Sequence, residues 1–155
     1  MRKRIVPVEQ ALEIDGDWLD LGSLAEVEIS SEDPEYPIES ALISGNGSGW
    51  RAGTPGQQVI RLLFSPPQKV TRIHLHFEEQ SVARTQEYAL RWSPKRSQPC
   101  REIVRQQWNF SPSGATVEIE DHLVELPSVE VLELIIDPGS PGEAVFASMK
   151  RMKIS

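Results

Sequence analysis

In Arg84-Thr85-Gln86-Glu87-Tyr88-Ala89-Leu90-Arg91-Trp92-Ser93, residues 84–93, the large apolar side chains Tyr88, Leu90 and Trp92 recur every second position. A pleated strand points successive side chains to opposite faces, so this period buries one face and wets the other. The segment lies between two further alternating runs and reads as loop passing into strand in an all-β chain. Its exposed arginines and amides are a candidate binding surface.

The same period extends outward in both directions. On the amino-terminal side, Ile73, Leu75 and Phe77 alternate with Arg72, His74 and His76. Before them Ile60, Leu62 and Phe64 alternate with Arg61 and Leu63, and Ala25, Val27 and Ile29 with Glu26, Glu28 and Ser30. On the carboxy-terminal side follow Val104, Gln106 and Trp108; Val117 and Ile119; Leu132, Leu134 and Ile136; and a run from 146 to 154. No window keeps the spacing of an amphipathic helix, which leaves about eight strands. Pro and Gly punctuate them at Ser65-Pro66-Pro67, Ser93-Pro94, Ser111-Pro112-Ser113-Gly114, Leu126-Pro127 and Asp137-Pro138-Gly139-Ser140-Pro141-Gly142, where a ladder cannot continue. Strands of even spacing with one wet face each predict a two-sheet sandwich.

A chain of 155 residues, 39% apolar, can bury one sizeable core and is short for two ordinary domains, so residues 1–155 are expected to form a single domain. Within it, 30–58 has no clear strand but carries Tyr36, Ile38, Ala41, Leu42, Ile43 and Trp50, enough apolar surface to pack as a structured excursion. In 1–20, the Asp15-Gly16 signal predicts an extra hairpin.

Sixteen basic against 23 acidic residues give a formal charge of −7, which averaged over the surface repels nucleic acid and anionic lipid. Arg84, Arg91, Lys95, Arg96, Arg101 and Arg105 nevertheless share one window whose acids are Glu87 and Glu102; such runs usually face water, and the alternative is a local anion site. Cys100 is the only cysteine, so no disulfide forms within the chain. The basic start, Met1-Arg2-Lys3-Arg4, is followed by acids rather than an apolar signal region, and no apolar run approaches the about 20 residues of a membrane span, so a cytoplasmic location is expected.

Several short motifs, taken in order, carry a family resemblance: Ser30-Ser31-Glu32, Gly49-Trp50-Arg51-Ala52, Gln58-Val59-Ile60, Val70-Thr71-Arg72-Ile73-His74-Leu75 and Ala147-Ser148-Met149. Over about residues 20 to 155 the chain resembles the discoidin, or coagulation-factor type C, domains of the galactose-binding-domain-like superfamily. The resemblance implies a jelly-roll β-sandwich of antiparallel strands whose loops at one end bind a ligand, often a sugar, sometimes a phospholipid head group or a protein. Transferred to this chain, those loops are 32–38, 79–85 and 109–114. Many sugar-binding members hold a structural calcium with acidic residues in the loop before the tryptophan and in the last strand. Here those places read Leu42-Ile43-Ser44-Gly45-Asn46-Gly47-Ser48-Gly49 and Ser148-Met149-Lys150-Arg151, without a carboxylate, and no calcium is expected there.

Sugar sites combine an aromatic face with polar groups for the hydroxyls. Trp92 and Trp108 fall on the apolar parity of their strands and are expected in the core, as is Trp50. Tyr36, flanked by Pro34, Glu35 and Pro37, is the exposed aromatic candidate. Arg84, Asn109 and Glu79 supply donors and acceptors in the implied ligand loops; the competing reading pairs Arg84 with Glu79 or Glu87 and uses Asn109 to cap a turn. Tyr36, Glu79, Arg84 and Asn109 are therefore the expected ligand residues of a non-catalytic module for a carbohydrate or similar polar ligand. The first alternative is a protein-interaction module using the same end, or a flat face carrying Arg91, Arg105 and His74. The second is a metal enzyme: His74 and His76, two apart on one strand, project to one side as chelating imidazoles do, although Arg72 on that side opposes a cation. No catalytic residue and no cofactor is expected. Gly45-Asn46-Gly47-Ser48-Gly49 lacks the lysine and helix of a phosphate loop, and Cys100 has no histidine nearby in sequence.

Overall fold

The computed structural model describes residues 3, 18–43, 47–139 and 145–155, so the expected hairpin within 1–20 falls almost wholly outside them. The elements run α1 (Leu21–Leu24), β1 (Ala25–Ile29), α2 (Glu39–Leu42), β2 (Trp50–Arg51), β3 (Gln58–Glu78), β4 (Arg84–Ser93), β5 (Arg101–Phe110), β6 (Val117–Asp137), β7 (Ser148–Met149) and β8 (Arg151–Ile154). All strand pairs are antiparallel.

Two of the expected turns do not end strands. Ser65-Pro66-Pro67 and Leu126-Pro127 lie inside β3 and β6, which pair with each other along their whole lengths and slip register between Leu63 and Arg72. Proline removes a ladder donor without forbidding extended backbone, so here it marks a corner instead of a stop. At that corner both strands fold over. Residues 58–64 and 129–137 lie in a five-stranded half ordered β1-β3-β6-β4-β5, while 70–78 and 117–126 join β8 in a three-stranded half.

The halves close on a core of Leu62, Phe64, Tyr88, Leu90, Leu132 and Leu134 from the larger and Ile73, Leu75, Phe77, Met152 and Ile154 from the smaller. The Phe77 and Tyr88 ring centroids meet across the gap at 5.4 Å. The run expected as one strand from 146 to 154 is broken at Lys150, whose N–H donates to His76 O (2.8 Å) between β7 and β8.

The outer face of the larger half is a charged ladder. Register places Glu28, Arg61, Glu133 and Arg91 side by side on β1, β3, β6 and β4. Arg61 bonds Glu28 (3.0 Å) and Glu133 (2.7 Å), and Arg91 reaches Glu133 at 3.3 Å. These contacts disperse the basic window. Arg96 meets Glu130 and Glu26, and Arg105 meets Glu87 and Glu102. His74 belongs to the outer face of the other half, cross-strand from Asp121, so the flat face imagined to unite it with Arg91 and Arg105 does not exist.

The 117–126 part of β6 reverses a further expectation. Val117 and Ile119 were assigned to the core, yet their cross-strand partners are Glu78 and His76, on the wet face. Val117, Ile119 and Leu123 are exposed, Leu123 by 82%, and the inward positions, opposite Phe77, Leu75 and Ile73, hold Glu118, Glu120 and His122. Alternation shows that one face is apolar; which face turns inward is decided by pairing to β3.

Candidate functional site

The described residues of the excursion 30–58 form one wall of a groove at the end of the sandwich where β3 stops and β4 begins. Asp33-Pro34-Glu35-Tyr36 makes a turn in which Asp33 Oδ1 accepts from Glu35 N–H (3.0 Å) and Tyr36 N–H donates to Asp33 O (2.8 Å). That turn is laced to β2, since Asp33 N–H donates to Arg51 O and Arg51 N–H to Tyr36 O. β2 in turn pairs with β7, matching Trp50 to Met149 and Arg51 to Ser148. Alternation over these two residues sends Trp50 into the core, its indole N–H on Ser31 O (3.1 Å), and turns Arg51 and Ser148 toward the groove. Gly49, at φ 88°, precedes the pair. A Cβ there would lie 2.7 Å from Met149 O, so only glycine permits this approach.

Two polar staples hold the wall. Gln58, buried at the start of β3, accepts from the hydroxyls of Ser30 and Ser31 (2.7 Å each) and donates to Thr54 O (3.1 Å), while Ser31 Oγ accepts from Gly53 N–H (3.0 Å). Ala52 N–H and Gly56 N–H donate to Ala147 O and Val145 O, strapping 145–147 alongside and placing Phe146 beneath the Arg51 guanidinium, 5.3 Å from its ring centroid. Arg51 has no carboxylate within 4 Å among the described residues.

The opposite wall is the connection after β3. Glu79 N–H donates to Thr116 O (2.8 Å), and its two carboxylate oxygens accept from Arg84 Nε (2.8 Å) and Ser81 N–H (3.2 Å). Between the walls lies a hollow of about 330 Å³ faced by Tyr36, Phe146, Arg51 and Glu79 and by the hydroxyls of Ser48, Ser81 and Ser148. A second hollow of about 440 Å³ shares Arg51 and Phe146 and continues past Glu32, Asp33 and Gly53. A third, about 330 Å³ beside β1, is lined mainly by the aliphatic residues Ala25, Val27, Ile29, Ile38 and Leu42 and offers little to a polar ligand.

Of the four expected ligand residues, the structure brings Tyr36 and Glu79 to the same groove. Arg84 lies behind Glu79, buried, with Nη1 on Gln86 Oε1 (3.0 Å) and Pro138 O (2.9 Å) and its guanidinium over the Phe110 ring. It orients the groove's acceptor from inside. Asn109 is not brought to the groove: it faces outward on β5, where its Oδ1 accepts from Thr85 Oγ1 (2.7 Å). Arg51, Phe146, Ser81 and Ser148 were not singled out. Two of them stand inside the quoted motifs Gly49-Trp50-Arg51-Ala52 and Ala147-Ser148-Met149, where the signal for them lay.

The two imidazoles meet separate carboxylates: His74 Nδ1 is 3.1 Å from Asp121 and His76 Nε2 is 3.1 Å from Glu78. Arg72, also on Asp121, holds that carboxyl below its usual range, and burial lowers the pKa of His76 despite Glu78. Among the described residues no group of three or more His, Cys, Asp or Glu has the arrangement of a metal site. Trp92 and Trp108 point inward as expected from their parity, but they are only half-buried.

No family model and no curated protein matches this chain. Solved structures do. The module CpGH89CBM32-5 from Clostridium perfringens, in complex with GalNAc-β-1,3-galactose, is 17% identical and superposes with a TM-score of 0.62, covering 89% of this chain and 99% of its own. A further module, CBM32-3 from a family 31 glycoside hydrolase of the same organism, gives 14%, 0.65, 90% and 95%. A Ruminococcus gnavus family 29 fucosidase in complex with fucose gives 11% identity and a TM-score of 0.70 over 94% of this chain, which spans 28% of that enzyme. Identities this low speak to architecture alone: the chain shares the β-sandwich fold of these family 32 carbohydrate-binding modules.

Proposed function

We propose that the chain is a non-catalytic carbohydrate-binding module and that its ligand enters the end groove between Tyr36, Phe146 and Glu79. The observation that carries this reading is the pairing, in one hollow of about 330 Å³, of aromatic rings with a carboxylate whose oxygens are both fixed in advance. The axial hydrogens of a pyranose pack on a ring while its hydroxyls donate to an acceptor and take bonds from donors. Glu79, held by Arg84 and Ser81, is such an acceptor with little left to order on binding; Arg51 and the three serines are the donors. Glu79 is already ion-paired with Arg84, which suits it to accept hydroxyl groups. Neighbours of the same fold described with bound galactose or mannuronic acid support the ligand class.

A glycan array probed with the wild-type chain, then titration calorimetry on the strongest hit, tests the reading. Tyr36→Ala and Phe146→Ala are each expected to weaken binding about tenfold or more, since each removes a stacking face. An array without a hit, or a hit indifferent to both substitutions, rejects it.

A further inference from the structure

The described residues place five strands in one half of the sandwich and three in the other, and the mismatch leaves one side of them open. Among the described residues the smaller half has no further strand beyond residues 117–126 of β6, while the larger continues through β4 to β5. The inward side chains of β5 and the end of β4 are therefore incompletely covered: Trp92, Val104, Gln106 and Trp108 remain half-buried although they point into the sandwich.

Facing them across the opening are the inward residues of the inverted strand, Glu118, Glu120 and His122. A core-facing row of this polarity departs from the apolar inward rows of its neighbours in the smaller half, Ile73, Leu75 and Phe77 of β3 and Met152 and Ile154 of β8, and local contradictions of that kind mark functional sites. Gln86 Nε2 donates to Glu118 Oε1 (3.3 Å), and Tyr88 Oη lies 2.7 Å from His122 Nε2, so the rows touch at the back of the opening.

Among the described residues three buried polar atoms here have no hydrogen-bond partner: Arg84 Nη2, Trp108 Nε1 and Glu118 Oε2. They form one cluster, because Trp108 is cross-strand from Gln86, which bonds both Arg84 and Glu118. Arg84 is 5% and Glu118 1% exposed. A buried donor or acceptor left unpaired forfeits the hydrogen bonds it made to water, and here two donors and an acceptor share one place.

We propose that this lateral opening is a second carbohydrate site, taking a neutral glycan chain against the half-exposed faces of Trp92 and Trp108. Hydroxyl groups suit the cluster because each donates and accepts at once, so one hydroxyl, or a water it carries, bonds both Trp108 Nε1 and Glu118 Oε2. Gln106 and Glu120, nearer the rim, address further hydroxyls. The paired carboxyls argue against an anionic sugar. Burial, followed by the charge of Glu120, pushes the Glu118 pKa up to about 7, so near neutrality much of it is a protonated carboxyl, itself a donor.

Neutral hexasaccharides (cellohexaose, xylohexaose, mannohexaose and laminarihexaose) titrated into the full ¹⁵N-labelled chain supply the test, read at the Trp108 indole N–H resonance and by calorimetry. At least one is expected to shift that resonance saturably, with affinity falling about tenfold in Trp108→Ala and severalfold in Glu120→Gln; the latter changes a rim residue and keeps the test intact if the tryptophan variant fails to fold. A resonance that no hexasaccharide moves overturns the proposal. So does a shift lost in Tyr36→Ala, which would assign the response to the end groove, or a glycan-independent dimer abolished by Glu120→Gln, which would make the opening a protein interface. Failure of the end groove, seen as indifference to Tyr36→Ala, leaves this site standing.

Discussion

Glu118 shows how one side chain carries consequences for the whole chain. Its carboxyl faces Glu120 on its own strand and Gln86 and Arg84 on β4; burial and Glu120 raise its pKa from 4.5 to about 7, outweighing the lowering by the Gln86 bond and the Arg84 charge. Between those values the folded chain keeps a proton that the unfolded chain has released. The associated stability is therefore complete below pH 4.5 and is lost as pH climbs through about 7. Glu118→Gln cannot ionise and escapes that loss. Thermal melts from about pH 5 to pH 8 are expected to show the wild type losing about 1–3 kcal/mol more than the variant across the range. Burial lowers the pKa of His122 and His76, and these titrate in the opposite sense, destabilising the fold as pH falls below 6.5. Both are present in each chain and cancel in the difference. Parallel curves would refute the assignment.

At the scale of elements, β6 separates what alternation reveals from what it hides. β4 was readable to the residue, since Arg84 to Ser93 alternates around Tyr88, Leu90 and Trp92 and is bounded by Ser93-Pro94. In 117–126 the period is equally clear but its phase is not, because Val117-Glu118-Ile119-Glu120 describes a strand facing either way until β3 is placed beside it. The corner at Ser65-Pro66-Pro67 resembles a strand end in sequence for a related reason, as proline reports a missing donor and not a chain reversal. The groove was half legible: Tyr36 and Glu79 declared themselves by chemistry and loop position, whereas Phe146 and Arg51 meet through the β2–β7 pairing and the Ala52–Ala147 bond, which join segments far apart in sequence. The observed phase of β6 makes a sharp stability prediction. Ile119→Thr and Leu123→Thr, exposed, should each change unfolding free energy by no more than about 0.5 kcal/mol, whereas Leu134→Ala, in the same strand beyond the corner and fully buried, should cost about 2–5 kcal/mol. Urea denaturation of the three variants decides it; a large loss at Ile119 would mean that 117–126 pairs in the other phase.

For the molecule as a whole, charge decides which ligands remain in contention. The formal charge is −7, and the arginines that suggested an anion site in the sequence are largely spent: Arg84 on Glu79, Arg91 on Glu133, Arg96 on Glu130 and Glu26, Arg105 on Glu87 and Glu102, with Arg101 laid over Trp92. Four of those acids, Glu26, Glu79, Glu130 and Glu133, lie outside the window and were brought to it by folding. The long-range field therefore repels polyanions, and neither proposed site concentrates enough cation to reverse that. Binding at both should rest on stacking and short hydrogen bonds, which salt hardly screens, instead of on charges acting over a Debye length of about 10 Å at 0.1 M. The affinity of a neutral oligosaccharide is accordingly expected to change less than about twofold between about 50 and 500 mM sodium chloride. Calorimetry across that range measures it directly. An affinity falling steeply with salt would overturn this and mean that binding draws on charge, with Arg51, which has no carboxylate within 4 Å among the described residues, as the groove's cation to test.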